Sequence, residues 1–472
     1  MTSYSDIRKS IEARKEFCAS LVHTLRNEIV ARPGLNAFVE LFDDTLDVDA
    51  QTADTRSVAG NARGLEGMLV GIKDNILIRG RECTAASRML KGHRAAYDAT
   101  VVRRLREAGA VIAGRLNMDE FAMGSSGETS VYGPTQNPAA EGRIPGGSSS
   151  GSAAAVAAGL LHAALGSDTG GSVRQPAACT GTIGIKPTYG RVSRSGLISF
   201  ASSCDQIGVI AGTAEDAARV LHCISGHDTA DATSSADPVT AYVSAVGKGV
   251  QGLRIGIIRE CLPDELPAAQ HEAIQRSAEV LTSAGATVDE ILLPLTDLLY
   301  PVYAVIANAE AASNLSRYNG MRYGHACNDE EEFHTAVMRN RSEGFGREVK
   351  RRIMIGTYVL SAGYRQQWFE HAARLRRRIR DAYRQALSEV DLLLLPVMPG
   401  PPAPLGELME DPLRMYRSDM YTVAANLTGL PAISVPAGRD GEGLPLAVQF
   451  MASAFREDLL FASAGVLEGA MQ

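Results

Sequence analysis

Two short turns built from glycine and serine constrain this chain more than any other feature of its sequence. The first is GGSSSG at residues 146–151 and the second is GGS at residues 170–172. An alanine-rich helical segment and a short apolar strand separate them, so we expect the chain to return to nearly the same place. Glycine lets main-chain N–H groups point at a small anion, and a hydroxyl beside such donors suits acyl transfer. The ordinary alternative is a pair of helix-capping turns, with Ser148 as N-cap and Gly159 as C-cap.

Three familiar kinds of functional site fit this sequence poorly. Residues 147–151 match the letters of the hydrolase pattern G-x-S-x-G, but the preceding residues 141–145 do not form a buried strand, and no histidine has a distinctive setting. The same loop has no lysine after its last glycine, as a nucleotide-binding loop requires. His222, Cys223 and His227 lie close together in the sequence, but on a capped helix without further metal ligands. The sequence therefore predicts no metal site.

A buried lysine is the remaining candidate for a catalytic base. The apolar residues 69–72 predict a strand that places Lys73 at its carboxyl end, where functional side chains gather in α/β sheets. Burial disfavours the charged amine and so lowers the pKa of a lysine. In its neutral form Lys73 can accept a proton at physiological pH, and a serine between the lysine and the nucleophile can relay that proton.

Composition excludes several classes of protein. The net charge of −7 argues against wide nonspecific phosphate binding. The seven cysteines are scattered without a C-x-x-C pair, which predicts a reduced, cytoplasmic protein with neither a disulfide framework nor a zinc knuckle. The first 17 residues predict a charged amphipathic helix and no signal peptide. No segment approaches the roughly 18 to 20 apolar residues that span a bilayer, so we expect no membrane association.

Helical and strand patterns alternate along the chain. Besides those already named, we predict the helices and strands at 4–29, 99–109, 111–113, 183–186, 215–224, 253–258, 267–284, 287–293, 300–315, 392–395, 433–435 and 446–450. The basic runs 347–352 and 374–380 lie on further helical patterns. The acidic residues 43–54 have no clear period and are expected at the surface, and the small polar residues 227–249 are the best candidate for an internal connection. Because no repeat and no true linker occurs, we predict one α/β/α domain.

The chain closely resembles the amidase signature family. Lys73, Ser148 and Ser172 carry the resemblance, together with their surroundings at 146–152 and 167–172. It implies a central mixed β-sheet covered by helices on both faces, in a single domain over residues 1–472. Within it, a helical segment ends near residue 60, the signature core spans about 61–230, and a substrate-pocket part spans about 250–472.

The resemblance also assigns roles within the site. Ser172 is expected to attack an amide carbonyl, and Ser148, which follows a cis peptide bond, to pass the proton to Lys73. The oxyanion hole is expected from four main-chain N–H groups, those of Thr169, Gly170, Gly171 and Ser172. Asp168 and Arg174 are expected to hold the turn in place without touching substrate.

The resemblance is closest to one branch of the family, the A subunits of tRNA-dependent amidotransferases. The matching segments are NMDEFAMGSS (117–126), KPTYGRVSRSGLISFASS (186–203), RSEGFGREVKRRI (341–353) and NLTGLPAISVP (426–436). In this branch Arg352 matches the arginine that binds the carboxylate of glutamine, Asp419 the acid that binds its amino group, and Tyr303 a tyrosine of the pocket. Without the resemblance, Arg352 reads as one solvated charge in a basic helix, and spacing does not distinguish it from Lys350 or Arg351.

The branch implies a glutaminase that supplies ammonia to a partner. The expected complex is a heterotrimer with B and C subunits, in which ATP and magnesium belong to the partner. The acceptor binds mainly there, and the sequence leaves open whether it is Glu-tRNA(Gln), Asp-tRNA(Asn) or both. No cofactor is expected in this chain. The alternatives are a stand-alone amidase for another small amide and a noncatalytic scaffold subunit.

Two residues depart from the pattern of the branch. Ser150 stands where a glycine is usual, and the site should tolerate a side chain as small as serine. Val209 stands where a proline is usual, which predicts a looser turn.

Overall fold

A single mixed β-sheet of 11 strands runs through the described part of the protein. The structure is a computed structural model, and it describes residues 3–13, 17–327 and 332–471. The strands are β1 (Phe38–Leu41), β2 (Leu69–Lys73), β3 (Val111–Leu116), β4 (Ala163–Asp168), β5 (Ile183–Lys186), β6 (Gln206–Ala211), β7 (Arg254–Ile258), β8 (Thr287–Ile291), β9 (Leu392–Pro396), β10 (Ala432–Arg439) and β11 (Pro445–Ala452). Their order in the sheet is β1-β3-β2-β4-β6-β5-β10-β11-β9-β7-β8.

Parallel and antiparallel neighbours both occur in this sheet, as predicted. β2 is parallel to β3 and to β4, and β7 is parallel to β8 and to β9. The other neighbouring pairs are antiparallel, and β6 pairs with both β4 and β5. Because β2 and β4 are parallel, Lys73 and Asp168 end their strands at the same edge of the sheet.

Seventeen α-helices surround the sheet in the described residues. They are α1 (Tyr4–Glu12), α2 (Cys18–Ala31), α3 (Asp43–Val58), α4 (Thr100–Glu107), α5 (Ser150–Ala157), α6 (Arg174–Thr180), α7 (Ala214–Ile224), α8 (Tyr242–Val246), α9 (Ala268–Ser283), α10 (Leu299–Asn314), α11 (Phe333–Gly344), α12 (Arg347–Leu360), α13 (His371–Glu389), α14 (Glu407–Glu410), α15 (Pro412–Arg417), α16 (Val423–Thr428) and α17 (Glu457–Met471). A short π-helix, Gln366–Glu370, precedes α13 and carries Trp368, the only tryptophan of the chain, which is 43% exposed.

Helices cover both faces of the sheet, which confirms the predicted fold class. Successive residues of a strand point to opposite faces. In β9, Leu392 and Leu394 join a cluster with α4, α7, α9 and α17, whereas Leu393 and Leu395 join another cluster with α10, α13 and α16. A third cluster packs α2, α3 and α5 against the strands at the β1 end of the sheet. Inner strands such as β2 and β9 are buried on both faces, and they have the apolar runs that such strands need.

One local prediction was wrong and one helix was not predicted. Residues 43–54 lie mostly at the surface, as expected, but they form helix α3, whose Leu46, Ala50 and Ala53 are buried. The residues around Val209 form no turn but the centre of β6, between two antiparallel neighbours. The ordinary alternative for the first glycine turn, in which Ser148 caps α5, is not observed, because the helix begins at Ser150 and its cap residue Ser149 makes no capping hydrogen bond through its side chain.

The N-terminal helical prediction covers α1 and α2, and residues 14–16 of that segment lie outside the described residues. Thr213 caps α7 as predicted, since its hydroxyl accepts the N–H of Asp216. The sheet includes strands from all three predicted segments, whose boundaries stay a prediction. None of the helices described is both long and apolar enough to cross a membrane.

Candidate active site

Lys73 lies at the end of β2 with its side chain fully buried among serines. Its Nζ is 2.7 Å from Ser148 Oγ and 2.8 Å from Ser149 Oγ. It also contacts Ser167, at 3.0 Å from the hydroxyl and 3.3 Å from the carbonyl oxygen. The parallel pairing of β2 with β4 brings these groups together, because Ser167 lies in β4. The predicted meeting of Lys73 and Ser148 is therefore present.

Burial lowers the pKa of Lys73 to about 7, even though the carboxylates of Asp119, Asp168 and Asp205 act to raise it. Loss of hydration disfavours the ammonium form, and hydroxyl neighbours carry no formal charge that would restore it. Near neutral pH a substantial fraction of the molecules therefore holds a neutral amine, which can accept a proton.

The first glycine turn, residues 146–151, places the Ser148 hydroxyl against the amine of Lys73. The peptide bond between Gly147 and Ser148 is cis, as the resemblance implies. Asp119 supports the turn, because its N–H donates to the Ser148 carbonyl at 3.1 Å and its carboxylate leaves no room for a side chain at Gly147. The N–H of Ser149 donates to the Ser172 carbonyl at 3.1 Å, which joins the two turns.

Ser172 is the more accessible of the two predicted catalytic serines, at 8% exposure against 0% for Ser148. Its hydroxyl makes no hydrogen bond with any residue that the structure describes. The structure thus joins the main chain of the predicted nucleophile to that of Ser149, the residue after Ser148, and its hydroxyl has no partner among the described residues.

The second turn provides main-chain donors but differs from the prediction at Gly171. Among the described residues, the N–H groups of Thr169, Gly170 and Ser172 have no acceptor, whereas that of Gly171 donates to Asp168 Oδ1 at 2.9 Å. The carboxylate at the end of β4 captures this donor because the chain reverses tightly there. Gly171 has φ +142°, and a side chain at Gly170 would come within 2.5 Å of the Tyr303 hydroxyl, so both positions require glycine.

Asp168 and Arg174 form the scaffold that the resemblance implies. Both side chains are fully buried, and Arg174 donates Nε and Nη2 to the carboxylate at 3.0 and 2.8 Å. Burial by itself raises the pKa of a carboxyl, but here the guanidinium and further hydrogen bonds lower the pKa of Asp168 to about 2. The arginine also donates to Thr422 and Asn426, which ties the catalytic turn to α16 and the residue before it.

Arg352 enters the site from α12 with part of its guanidinium unused. The side chain is buried, and Nε donates to Glu348 at 2.8 Å, while Phe200 and Tyr416 lie against the guanidinium. Nη1 and Nη2 have no hydrogen-bond partner among the described residues. Two parallel N–H donors are therefore free to bind a carboxylate in a bidentate way. Phe200 connects this group to the turn, since its N–H and the Thr169 hydroxyl both donate to Asp205.

Asp419 and Tyr303 approach the same turn from other elements. Asp419 Oδ1 accepts hydrogen bonds from Ser125 at 2.8 Å and Gln175 at 2.7 Å, while Oδ2 accepts none within the described ranges. Burial raises the pKa of this carboxyl to about 6, against the hydrogen bond from Ser125 and the charge of Arg352. Tyr303, in α10, is buried against Gly170. All the predicted site residues are thus brought together around residues 169–172.

The sequence profile of the amidase family matches residues 20–461. The chain belongs to the amidase family. The A subunit of glutamyl-tRNA(Gln) amidotransferase from Salinibacter ruber (strain DSM 13855 / M31) is 45% identical to this amidase over 501 aligned positions, which cover 97% of this chain and 98% of that protein. Among solved structures, the A subunit of glutamyl-tRNA(Gln) amidotransferase from Thermotoga maritima is 39% identical with a TM-score of 0.80, covering 96% of this chain and 92% of the other. A peptide amidase from Stenotrophomonas maltophilia is 31% identical with a TM-score of 0.84, covering 100% and 97%.

Sequence reasoning gave no role to three residues that shape the site of this amidase. Ser149 and Ser167 share the lysine with Ser148, and Glu348 binds Arg352. Ser149 and Ser167 lie in the motifs quoted above, but the sequence of a motif does not show which of its hydroxyl groups faces the lysine. Glu348 precedes Arg352 by four residues, and that helical spacing is a signal that could have found it.

The rejected alternatives find no support in the arrangement of the amidase. Ser149, the middle letter of the G-x-S-x-G match, is bonded to a lysine and not to a histidine. Cys223 is hydrogen-bonded to the carbonyl of Arg104, and His222 to that of Thr240. Ser150, which replaces a glycine, begins α5 in ordinary helical geometry, and its hydroxyl meets that of Thr135 at 3.1 Å, so the substitution is tolerated as expected.

Proposed function

We propose that this amidase hydrolyses glutamine within a tRNA-dependent amidotransferase, in which it is the A subunit. The observation that carries the proposal is the pairing of Arg352 and Asp419 around the catalytic turn. A free amino acid presents one carboxylate and one ammonium group, and the pocket offers two free guanidinium donors and one free carboxylate oxygen. With these ends held, the side-chain amide of glutamine would extend toward Ser172.

In the proposed reaction, Ser172 Oγ attacks the amide carbon of glutamine and its proton passes to Ser148, which gives its own proton to Lys73. The N–H groups of Thr169, Gly170 and Ser172 bind the resulting oxyanion, and such donors are commonly worth about 3 to 4 kcal/mol each. Lys73 then returns a proton through Ser148 to the leaving nitrogen, and ammonia departs. Water attacks the remaining ester, which releases glutamate and restores Ser172.

We further propose that the ammonia is used on another chain. Relatives of 45% identity are named as A subunits of glutamyl-tRNA(Gln) amidotransferases, which supports a complex with B and C subunits. ATP, magnesium and the acceptor, which is Glu-tRNA(Gln), Asp-tRNA(Asn) or both, would bind mainly to the partner, and the complex would act in the cytoplasm. The absence of a nucleotide-binding loop from the sequence is in keeping with this division.

The proposal is tested by measuring ammonia release from glutamine, first with the chain alone and then with B and C subunits, ATP and Glu-tRNA(Gln). We expect slow hydrolysis alone, clear stimulation in the complex, and loss of turnover in Ser172→Ala, with Lys73→Ala nearly as severe. Ser244→Ala, which changes an exposed serine, is the matched control and should retain activity.

Two results would contradict the proposal. Full activity without partners and a preference for amides that are not amino acids would identify a stand-alone amidase, a possibility raised by the similarity to a peptide amidase. No glutamine hydrolysis in the complete complex would identify a scaffold subunit.

A further inference from the structure

A histidine, a cysteine and a glutamate lie close together at the protein surface, and all three are more than 250 positions after Lys73 in the sequence. His325 and Cys327 lie in the loop before α11, and Glu343 lies in the last turn of that helix. The histidine and cysteine are partly exposed and the glutamate is exposed, so an ion in solution can reach them. The proposed glutamine hydrolysis uses none of these residues.

The three potential ligand atoms are spaced as a zinc ion requires. Cys327 Sγ is 3.9 Å from His325 Nε2 and 3.5 Å from Glu343 Oε2, and these last two atoms are 3.5 Å apart. In a tetrahedral zinc site with the usual bond lengths, sulfur lies roughly 3.6 Å from a nitrogen or oxygen ligand, and the two lighter ligands lie roughly 3.4 Å apart. Small side-chain adjustments would therefore bring all three atoms to one ion.

Neighbouring hydrogen bonds hold the ligands in this arrangement. The N–H of His325 donates to the Met89 carbonyl at 2.9 Å, and that of Cys327 donates to Asn340 Oδ1 at 2.7 Å. Asn340 is buried in α11, so it fixes the loop against the helix that carries Glu343. Arg339 donates to Glu343 Oε1 at 3.0 Å, which leaves Oε2 facing the other two ligands. Such outer contacts commonly orient metal ligands.

We propose that His325, Cys327 and Glu343 bind a zinc ion, with water in the fourth position. Binding would release the thiol proton of Cys327 to solvent and form a Zn–thiolate bond. The ion would clip residues 319–327 to the end of α11, and only two residues separate α11 from α12, the helix that carries Arg352. Zinc is favoured over calcium or magnesium because a thiolate and an imidazole are ligands of softer metals.

The test uses the untagged full-length chain under reducing conditions. Co²⁺ is added as a spectroscopic substitute and Zn²⁺ is titrated by calorimetry. We expect one site per chain with a thiolate-to-cobalt absorption band that added Zn²⁺ abolishes. Cys327→Ser should lose the band, and His325→Gln and Glu343→Gln should weaken Zn²⁺ binding roughly tenfold or more. Cys223→Ser, which changes another partly buried cysteine, is the control and should keep the band.

Hydrogen exchange provides a second readout that identifies the place of binding. Zn²⁺ should slow amide exchange over residues 319–327 in the unmodified chain and not in Cys327→Ser. A cobalt band that survives in Cys327→Ser, or equal Zn²⁺ affinity in all the variants, would overturn the proposal and leave a hydrogen-bonded cluster without an ion.

Discussion

Lys73 combines full burial with a set of neighbours that are hydroxyl and carbonyl groups. This combination separates it from Lys186, which is also buried and whose pKa burial likewise lowers to about 7, but which donates to the carbonyl of Pro187. A low pKa alone does not make a base. Lys73 can act as one because a hydroxyl lies at 2.7 Å and can deliver a proton to it.

The first prediction concerns the pH dependence of turnover. Since the pKa of Lys73 is lowered to about 7, protonation on the acidic side removes the base. We expect kcat at saturating glutamine to fall about tenfold for each pH unit below about 7 and to level off above it. Saturation separates this effect from Asp419, whose pKa of about 6 should act on glutamine binding. A kcat that stays constant from about pH 5 to pH 9 would exclude Lys73 as the base.

The second prediction concerns recognition of the glutamine carboxylate. Arg352→Ala should raise the KM for glutamine about 10- to 100-fold, because hydrogen bonds to a charged group contribute about 1.5 to 3 kcal/mol, while kcat changes less. Glu348 keeps Arg351 and the Tyr416 hydroxyl as partners in this variant. Arg351→Ala is the matched control and should leave KM nearly unchanged. Equal effects of the two substitutions, measured by steady-state kinetics, would remove the carboxylate role of Arg352.

Burial explains why the sequence alone did not select Arg352. The buried face of α12 is formed by Val349, Arg352, Gly356 and Val359, with Glu348 beside it, whereas Lys350 is exposed. Arg352, Gly356 and Val359 follow Val349 at helical spacing, so the buried face could in principle be recognised. In a run of several basic residues, however, the sequence does not show which charged side chain lies on that face. Only the family resemblance pointed to Arg352, which is the buried arginine of this run.

At the scale of elements, a carboxylate joins the segment after β3 to the start of α12. The N–H of Gly346 donates to Glu120 at 2.9 and 3.1 Å, and the Ser87 hydroxyl donates to the same group. Burial raises the pKa of Glu120 to about 7, against the hydrogen bond from Ser87. Since α12 carries Arg352, this contact fixes the helix that holds the proposed carboxylate-binding guanidinium.

The third prediction follows from this contact. Glu120→Ala leaves the partly buried N–H of Gly346 without its acceptor, which costs about 1 kcal/mol, and should also raise the KM for glutamine. Glu120→Gln retains one oxygen for that N–H and should lose less in both respects. Urea unfolding and glutaminase kinetics provide the measurements. The same loss in both variants would show that the hydrogen bond does not position α12.

Two elements that the sequence did not reveal, α3 and β6, have weak or interrupted apolar patterns. The buried residues of α3 are Leu46, Ala50 and Ala53, and two alanines give little contrast against an acidic background. The strand β6 was missed because Gly208 interrupts it, yet the glycine is needed where the carbonyl of Ile185 would be 2.4 Å from a side chain. Long strands and helices with branched apolar residues, such as β9 and α10, were predicted nearly to their ends.

At the scale of the whole molecule, one buried ion pair connects distant parts of the chain. Arg174 binds Asp168 at the end of β4, Thr422 and Asn426 beside or in α16, and Gln449 in β11. Residues that are more than 250 positions apart therefore meet at one guanidinium. No local pattern predicts such a meeting, and the pocket residue Asp419, held by Ser125 and Gln175, is another case.

The fourth prediction concerns this ion pair. Arg174→Ala leaves Asp168 buried without its cation and should reduce the free energy of unfolding by about 3 to 5 kcal/mol. Arg103→Ala removes an exposed pair with Glu107 and should change it by no more than about 1 kcal/mol. Urea unfolding followed by circular dichroism compares the two variants. Similar midpoints would mean that the network contributes no more to folding than a surface pair.

Trp368 gives the molecule a fluorophore at a defined place. It is the only indole in the chain, and it is partly exposed to water in the short π-helix between α12 and α13. Its emission therefore reports on that surface alone, without any attached dye. A blue shift when another protein is added would place the contact there, and unchanged emission in a complex that has formed would place the contact elsewhere.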